Sequence, residues 1–136
     1  MNEVPRRQFA AAYRHPAFLI VETWSGLRSA AFDPEGAQHL LPADCGPAEL
    51  GAAVLDALAR SRFFSVEEVR TNGFFNFDSR NRIYAAWVEK LQAAKGLKTK
   101  RALFKDLDYC EITLANGILE ARILHSAVPA FDGVGG

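Results

Sequence analysis

Tyr109-Cys110-Glu111-Ile112-Thr113-Leu114-Ala115-Asn116-Gly117-Ile118-Leu119-Glu120-Ala121-Arg122-Ile123-Leu124 reads as a β-hairpin. Asn116-Gly117 is its turn, because a two-residue type I′ turn needs positive φ at both central positions and Asn and Gly tolerate it. A turn there sets Leu114 opposite Leu119, Ile112 opposite Ala121 and Cys110 opposite Ile123, all on one apolar side. On the other side Glu111 faces Arg122 and Thr113 faces Glu120. One apolar side and one side with an opposite-charge pair is the pattern of a half-solvated antiparallel hairpin.

Working outward, the N-terminal third is also β-prone. Phe9–Tyr13 and Phe18–Trp24 flank Arg14-His15-Pro16-Ala17, where proline presets a turn. The second run alternates Phe18, Ile20, Glu22 and Trp24 with Leu19, Val21 and Thr23, so neither side is polar and coverage on both sides is expected. Ser25-Gly26 breaks the run, Leu27–Phe32 returns as a strand, Asp33-Pro34-Glu35-Gly36 turns, and Gln38–Leu41 forms a short fourth strand. A helix starts at Pro47, with Glu49 in its first turn and a core stripe of Leu50, Val54, Leu55 and Leu58. Ser65-Val66-Glu67-Glu68-Val69 has capping-box spacing, and Thr71-Asn72-Gly73 marks a turn. A second principal helix is expected over 79–95, capped by Asp78 or Ser79 and ended by Gly96. Its core face is Ile83, Tyr84, Trp87, Val88 and Leu91, with Arg80, Arg82, Glu89, Lys90 and Gln92 outward. Ala102–Lys105 reads as one more strand. The sum is one α/β (α+β) domain over 1–136. Its mainly antiparallel sheet comes from an N-terminal β meander and a C-terminal hairpin. Two principal helices pack on one face, and the first few residues and 131–136 are frayed.

Composition sets the functional limits. Of 136 residues 49% are hydrophobic and 24% charged, and 16 basic side chains balance 16 acidic ones. That excludes a disordered chain and a polybasic nucleic-acid binder. The N-terminus carries Glu3 and no apolar stretch behind it, and Phe18–Val21 is only strand length. Neither a secretory signal nor a membrane span is expected, which places the chain in the cytoplasm. Cys45 and Cys110 are too few for a disulfide scaffold and are expected buried, reduced and structural.

No catalytic signature is present. His15, His39 and His125 form no His-x-x-x-His pair, and there is no Cys-x-x-Cys, Gly-x-Gly-x-x-Gly, P-loop or Gly-x-Ser-x-Gly. No metal and no cofactor is expected. Glu67-Glu68 and Asp106 with Asp108 are acidic pairs for which solvated surface is the commoner role. Phe74-Phe75-Asn76-Phe77 is either an anchor into the core or an exposed partner-binding patch. Lys95, Lys98, Lys100, Arg101 and Lys105 put five positive charges in eleven residues without an acid. They read as a helix end and lysine-protected edge strand, or as a phosphate-binding strip.

Three blocks carry a resemblance. They are the stretch from Tyr13 to Leu27, Ala48-Glu49-Leu50-Gly51-Ala52-Ala53-Val54-Leu55-Asp56-Ala57-Leu58, and Lys98-Thr99-Lys100-Arg101-Ala102-Leu103-Phe104-Lys105. In this order they resemble the bacterial immunity proteins of contact-dependent growth inhibition systems. The shared motif positions are Trp24, Gly26, Lys98, Thr99, Lys100, Arg101, Phe104 and Lys105. The resemblance implies a non-catalytic cytoplasmic inhibitor that forms a heterodimer with its cognate C-terminal toxin domain, often a nuclease. A nuclease needs a basic groove, so its inhibitor is expected to present carboxylates. The candidates are Asp33, Glu35, Glu67, Glu68, Asp106 and Asp108, with Phe74, Phe75 and Phe77 as apolar anchors. Segment 71–82 is idiosyncratic, as expected where each inhibitor must match its own toxin. A nucleic-acid module using Lys98–Lys105 is the alternative, and a small enzyme with a cysteine or carboxylate pair a third reading.

Overall fold

Two nine-residue runs form the centre of the protein, whose computed structural model describes residues 6–124. They are β1 (Arg7–His15) and β2 (Phe18–Gly26), closed into an antiparallel pair by Pro16-Ala17, with Phe9 opposite Trp24 and His15 opposite Phe18. β3 (Ala30–Phe32) and β4 (Gln38–Pro42) share the outer edge of β2, β3 along Trp24–Gly26 and β4 along Phe18–Glu22. β5 (Asp108–Ala115) pairs with β1, and β6 (Ile118–Leu124) with β5. All these pairings are antiparallel, and the hairpin register matches the sequence reading pair for pair, with Asn116 at φ 54° and Gly117 at φ 75°.

Four helices follow the meander and precede the hairpin. They are α1 (Pro47–Ala59), α2 (Val66–Thr71), α3 (Phe77–Lys95) and α4 (Lys100–Phe104). Strand side chains alternate between faces. One face, with Ala10, Val21 and Ile112, packs on Ala53, Ala57 and Leu58 of α1. The other, with Ala11, Tyr13, Phe18 and Ile20, packs on Trp87, Val88 and Leu91 of α3 and Leu103 and Phe104 of α4. Helices therefore cover both faces rather than the one expected. β2 has no polar face, and burying both of its apolar faces outweighs any gain from one-sided layering.

Local differences have local causes. Ala102–Lys105 is not a strand: the Thr99 hydroxyl accepts from Ala102 N at 3.0 Å and starts α4, which buries Leu103 and Phe104. Leu55 is 64% exposed, because α1 approaches the sheet through Ala53 and Ala57. Asn76, not Asp78 or Ser79, caps α3, accepting from both their amides. Cys45 and Cys110 are free thiols, as expected, but only half-buried. Leu119 and Ile123, on the hairpin's apolar side, are 52% and 72% exposed, since α1 reaches across β5 but not β6. His125 and both ends expected to fray lie outside the described residues.

Glu22 sits at the centre of the α3-covered face, fully buried. Its carboxylate accepts from Trp87 Nε1 at 2.8 Å, Trp24 Nε1 at 2.9 Å and Gln38 Nε2 at 3.1 Å. Burial pushes its pKa from the ordinary 4.5 to about 7, although the three N–H donors pull it down. The folded state thus holds a proton that the unfolded chain releases between those values, so folding gains stability as pH falls through that window. The gain amounts to about 3 kcal/mol at most. Urea denaturation should show the protein more stable at pH 5 than at pH 8. Glu22→Gln should flatten the Glu22 part of that difference; an unchanged pH profile in the variant would assign it elsewhere.

Candidate functional site

The change of face happens at one end of the sheet. After α1, residues 60–64 run past the end of β2, with Gly26 N donating to Arg62 O at 3.1 Å and Phe64 N to Gly26 O at 2.9 Å. Gly26 is required here, because a Cβ would lie 1.9 Å from Ser29 O. Ser61 binds the end of the β1–β2 pair: its hydroxyl donates to Trp24 O at 2.6 Å and accepts from Phe9 N at 2.9 Å.

The Asp33 turn supplies the electrostatic centre. Its carboxylate is 1% exposed and accepts from Ser25 Oγ at 2.6 Å, Arg62 Nε at 2.7 Å, Arg62 Nη2 at 2.9 Å and Glu35 N at 3.0 Å. Burial alone would raise its pKa, but the bidentate Arg62 fork and the Ser25 and Glu35 hydrogen bonds outweigh that and hold it below the ordinary 3.8. Arg62 also reaches Glu35 Oε2 at 3.2 Å.

Aromatic rings floor this end. Phe64 meets Phe74 edge-on at 5.0 Å, and Phe74 meets Phe75 at 4.9 Å. Arg80 lies 4.3 Å above the Phe74 ring and Arg62 5.7 Å from it. Two recesses open beside them. One, of about 190 Å³, is lined by Glu35, Arg62, Asn72, Phe74, Ser79 and Arg80 among others. A shallower one, of about 440 Å³, includes Arg6, Arg62, Phe64, Glu68 and Asn72.

The structure brings Asp33, Glu35, Glu67, Glu68 and the phenylalanines to this end. Asp33 is buried, whereas Glu35 and Glu67 are exposed. Glu68 completes a capping box on α2, accepting from Ser65 N at 2.8 Å while its own amide donates to Ser65 Oγ at 3.1 Å. Phe74 is 8% exposed, Phe75 half-buried and Phe77 66% exposed. Asp106 and Asp108 are not part of this group. They lie at the far end of β1, roughly 20 Å away at ~3.3 Å per residue, where Asp108 pairs with Arg14 at 3.1 Å.

The motif positions have structural work. Trp24 binds Glu22, Gly26 admits Ser29, and Thr99 caps α4. Phe104 stacks with Trp87 at 6.1 Å and Tyr84 at 6.5 Å, and Lys100 Nζ lies 5.5 Å from the Tyr84 ring centre. Lys98, Arg101 and Lys105 are exposed. Arg62 carries no sequence signal for this role, and Arg80, expected outward, is turned inward. The available hint for Arg80 was the aromatic run Phe74-Phe75, whose buried ring favours a cation above it. Among the described residues no cluster of three or more His, Cys, Asp or Glu is arranged to hold a metal. No helix there is long and apolar enough to cross a membrane.

This antiparallel sheet with helices on both faces recurs in solved structures. A chain of the CdiA-CT/CdiI toxin and immunity complex from Yersinia pseudotuberculosis shares it at TM-score 0.77 and 30% identity, over 88% of this chain and 74% of that one. A protein of unknown function from Neisseria meningitidis shares it at TM-score 0.81 and 36% identity, over 89% and 74% of the two chains. Immunity protein CdiI-YPIII of Y. pseudotuberculosis serotype O:3 (strain YPIII) is 39% identical, covering 82% of this chain and 69% of that one. The family model for CDI immunity proteins matches residues 8–130, and the chain belongs to that family.

Arg62→Met tests the ionic centre. It leaves the buried Asp33 carboxylate without its fork, and partial exposure of Arg62 moderates the loss to about 2 kcal/mol at pH 7. The native contribution exists above the ordinary Asp pKa and disappears as pH falls through the depressed folded value, so the variant's deficit should shrink toward pH 3. Chemical denaturation at both pH values checks this; an equal deficit at both would contradict it.

Proposed function

We propose that this protein binds the C-terminal toxin domain of its cognate growth-inhibition system in the bacterial cytoplasm. It acts there as a one-to-one plug that catalyses nothing, and the toxin is a nuclease. Family membership over residues 8–130 is the observation that carries the reading. The solved relative's presence in a toxin and immunity complex supports it.

The contact is assigned to the Phe74 end of the sheet. Glu35, Glu67 and Glu68 stand on its rim and would steer toward a phosphate-binding groove, raising association above the ~10⁵–10⁶ M⁻¹s⁻¹ of uncharged encounters. Phe77 offers an exposed ring, with Phe75 half-buried behind it. Asp33 acts from beneath by fixing Arg62. The far end fits less well: Asp108 is engaged by Arg14, and Asp106 follows the basic run Lys98–Lys105, which would repel a basic groove.

Stopped-flow association kinetics with the cognate toxin domain test the assignment. Glu67→Lys with Glu68→Gln retains the capping box, since Gln serves at that position. The double variant should keep its melting temperature, lose roughly tenfold in association rate at low salt, and converge on wild type at high salt. Unchanged rates would remove α2 from the interface. Failure of the wild-type protein to bind would overturn the function.

A further inference from the structure

The two edges of the sheet are finished differently. β3 and β4 share one of them; both are short and mostly half-buried, and β4 ends on Pro42. The other edge is β6, seven residues in unbroken register with β5. Every residue from Ile118 to Ile123 is exposed, including the apolar Ile118, Leu119 and Ile123. β6 carries no lysine, proline or bulge, the devices that keep an open edge from pairing.

The turn decides which backbone groups are open. A two-residue turn closes on a hydrogen-bonded pair, here Ala115 with Ile118, and hydrogen-bonded and non-hydrogen-bonded pairs alternate from there. Ile118, Glu120 and Arg122 therefore direct their N–H and C=O groups to β5, and Leu119, Ala121 and Ile123 turn theirs outward. The side chains of Leu119, Ala121 and Ile123 lie on the α1 side of the sheet with Cys110, Ile112 and Leu114, while Glu120 and Arg122 lie on the opposite side.

Leu119-Glu120-Ala121-Arg122-Ile123 is complementary to itself when reversed. Set antiparallel about Ala121, two copies place Glu120 opposite Arg122 of the other copy and Leu119 opposite Ile123, each twice. The outward groups of Leu119, Ala121 and Ile123 then meet one another as hydrogen-bonded pairs. Glu120 and Arg122 fall in the closer non-hydrogen-bonded pairs, where opposite charges attract across strands. Neither takes part in an ion pair among the described residues. Neighbouring registers are worse. A shift of two residues sets Glu120 against Glu120 in one direction and Arg122 against Arg122 in the other. A shift of one sets Ala121 opposite Glu120, whose backbone groups point to β5, and mixes the two faces.

We infer that β6 is the interface of a symmetric dimer whose other half is a second copy of this chain, antiparallel about Ala121. The contact is isologous, so it closes after two copies instead of growing into a fibre. A single-strand edge contact is small, and interfaces at that end of the size range associate weakly. β1 and β5 separate β6 from β2, whose end carries the recess, so each copy keeps its own Phe74 end. The dimer forms with or without toxin.

Sedimentation equilibrium of the full chain over a concentration series tests this. The mass should rise from 15.0 kDa toward twice that value. Glu120→Arg and Arg122→Glu each set like charges opposite one another across the axis, and each alone should weaken the dimer roughly tenfold or more. Mixed together, the two variants should recover it, because every cross-axis pair in the mixed dimer is again of opposite charge. Ala121→Pro removes an outward N–H and leaves the β5 ladder intact. It should melt like wild type and stay at 15.0 kDa at every concentration. A wild-type mass that never rises, a dimer that survives Ala121→Pro, or a mixture that fails to recover would overturn the inference. Two outcomes would give the edge to another occupant and overturn the second copy. One is a monomer that dimerises only after removal of residues 125–136. The other is a monomer whose affinity for the toxin domain falls with Ala121→Pro. If wild type binds no toxin, the proposed function fails and the sedimentation result still decides the dimer.

Discussion

β2 has no face to give to water. Phe18 and Ile20 point to one side, Val21 and Thr23 to the other, and all four are completely buried. A strand of that kind must be covered twice, so the chain must lay helices on both faces of one sheet. An antiparallel meander alone cannot do this; the chain has to pass around an end of the sheet once. It does so at residues 60–64, and the recess beside Arg62 and Arg80 exists because of that passage.

The polar residues of β2 make the passage specific. Each holds a different element. Glu22 takes both tryptophan N–H groups and Gln38, tying α3 and β4 to the sheet. Thr23 donates to Ala57 O at 2.7 Å and accepts from Ala37 N at 2.9 Å, tying α1 and the turn into β4. Ser25 donates to Asp33 and accepts from Arg62 N at 2.8 Å, tying the turn after β3 to the crossing segment. Apolar contacts would tolerate sliding of these elements. A buried polar group without its partner would not, so these hydrogen bonds fix the relative positions.

Much of this is written locally, and the rest is not. The Asn116-Gly117 hairpin, the Pro16 turn, Pro47 at the start of α1, the Ser65 capping box and the Gly96 helix end each depend on neighbours within a few residues, and sequence reading finds them. The strand expected over Ala102–Lys105 is a helical turn because a short apolar run such as Ala102-Leu103-Phe104 suits either, and only the Thr99 cap with burial against Trp87 decides it. The positions of Arg62 and Arg80 have a longer-range cause. A cation is inward-facing only where distant groups supply acceptors, and theirs come from Asp33, Phe32 and Phe74. Asp33 was chosen as a surface acid, yet it lies under Arg62, because its fate depends on residues 29 positions away. The family resemblance named the class through residues that stabilise the fold, which is why it said little about the contact face.

Charge is sorted by depth at this end of the molecule. Acids stand on the rim at Glu35, Glu67 and Glu68, while guanidinium groups lie below against phenylalanine rings. The two layers act at different distances. Rim charges act through solvent over about a Debye length and are screened by salt. The lower layer acts only at contact, where its guanidinium groups hold a carboxylate, two carbonyls and a ring face of the protein itself. Segment 71–82 is only partly free to vary: Phe74 is buried, Asn76 caps α3 and Arg80 ties helix to loop and strand, while Phe77 stands exposed.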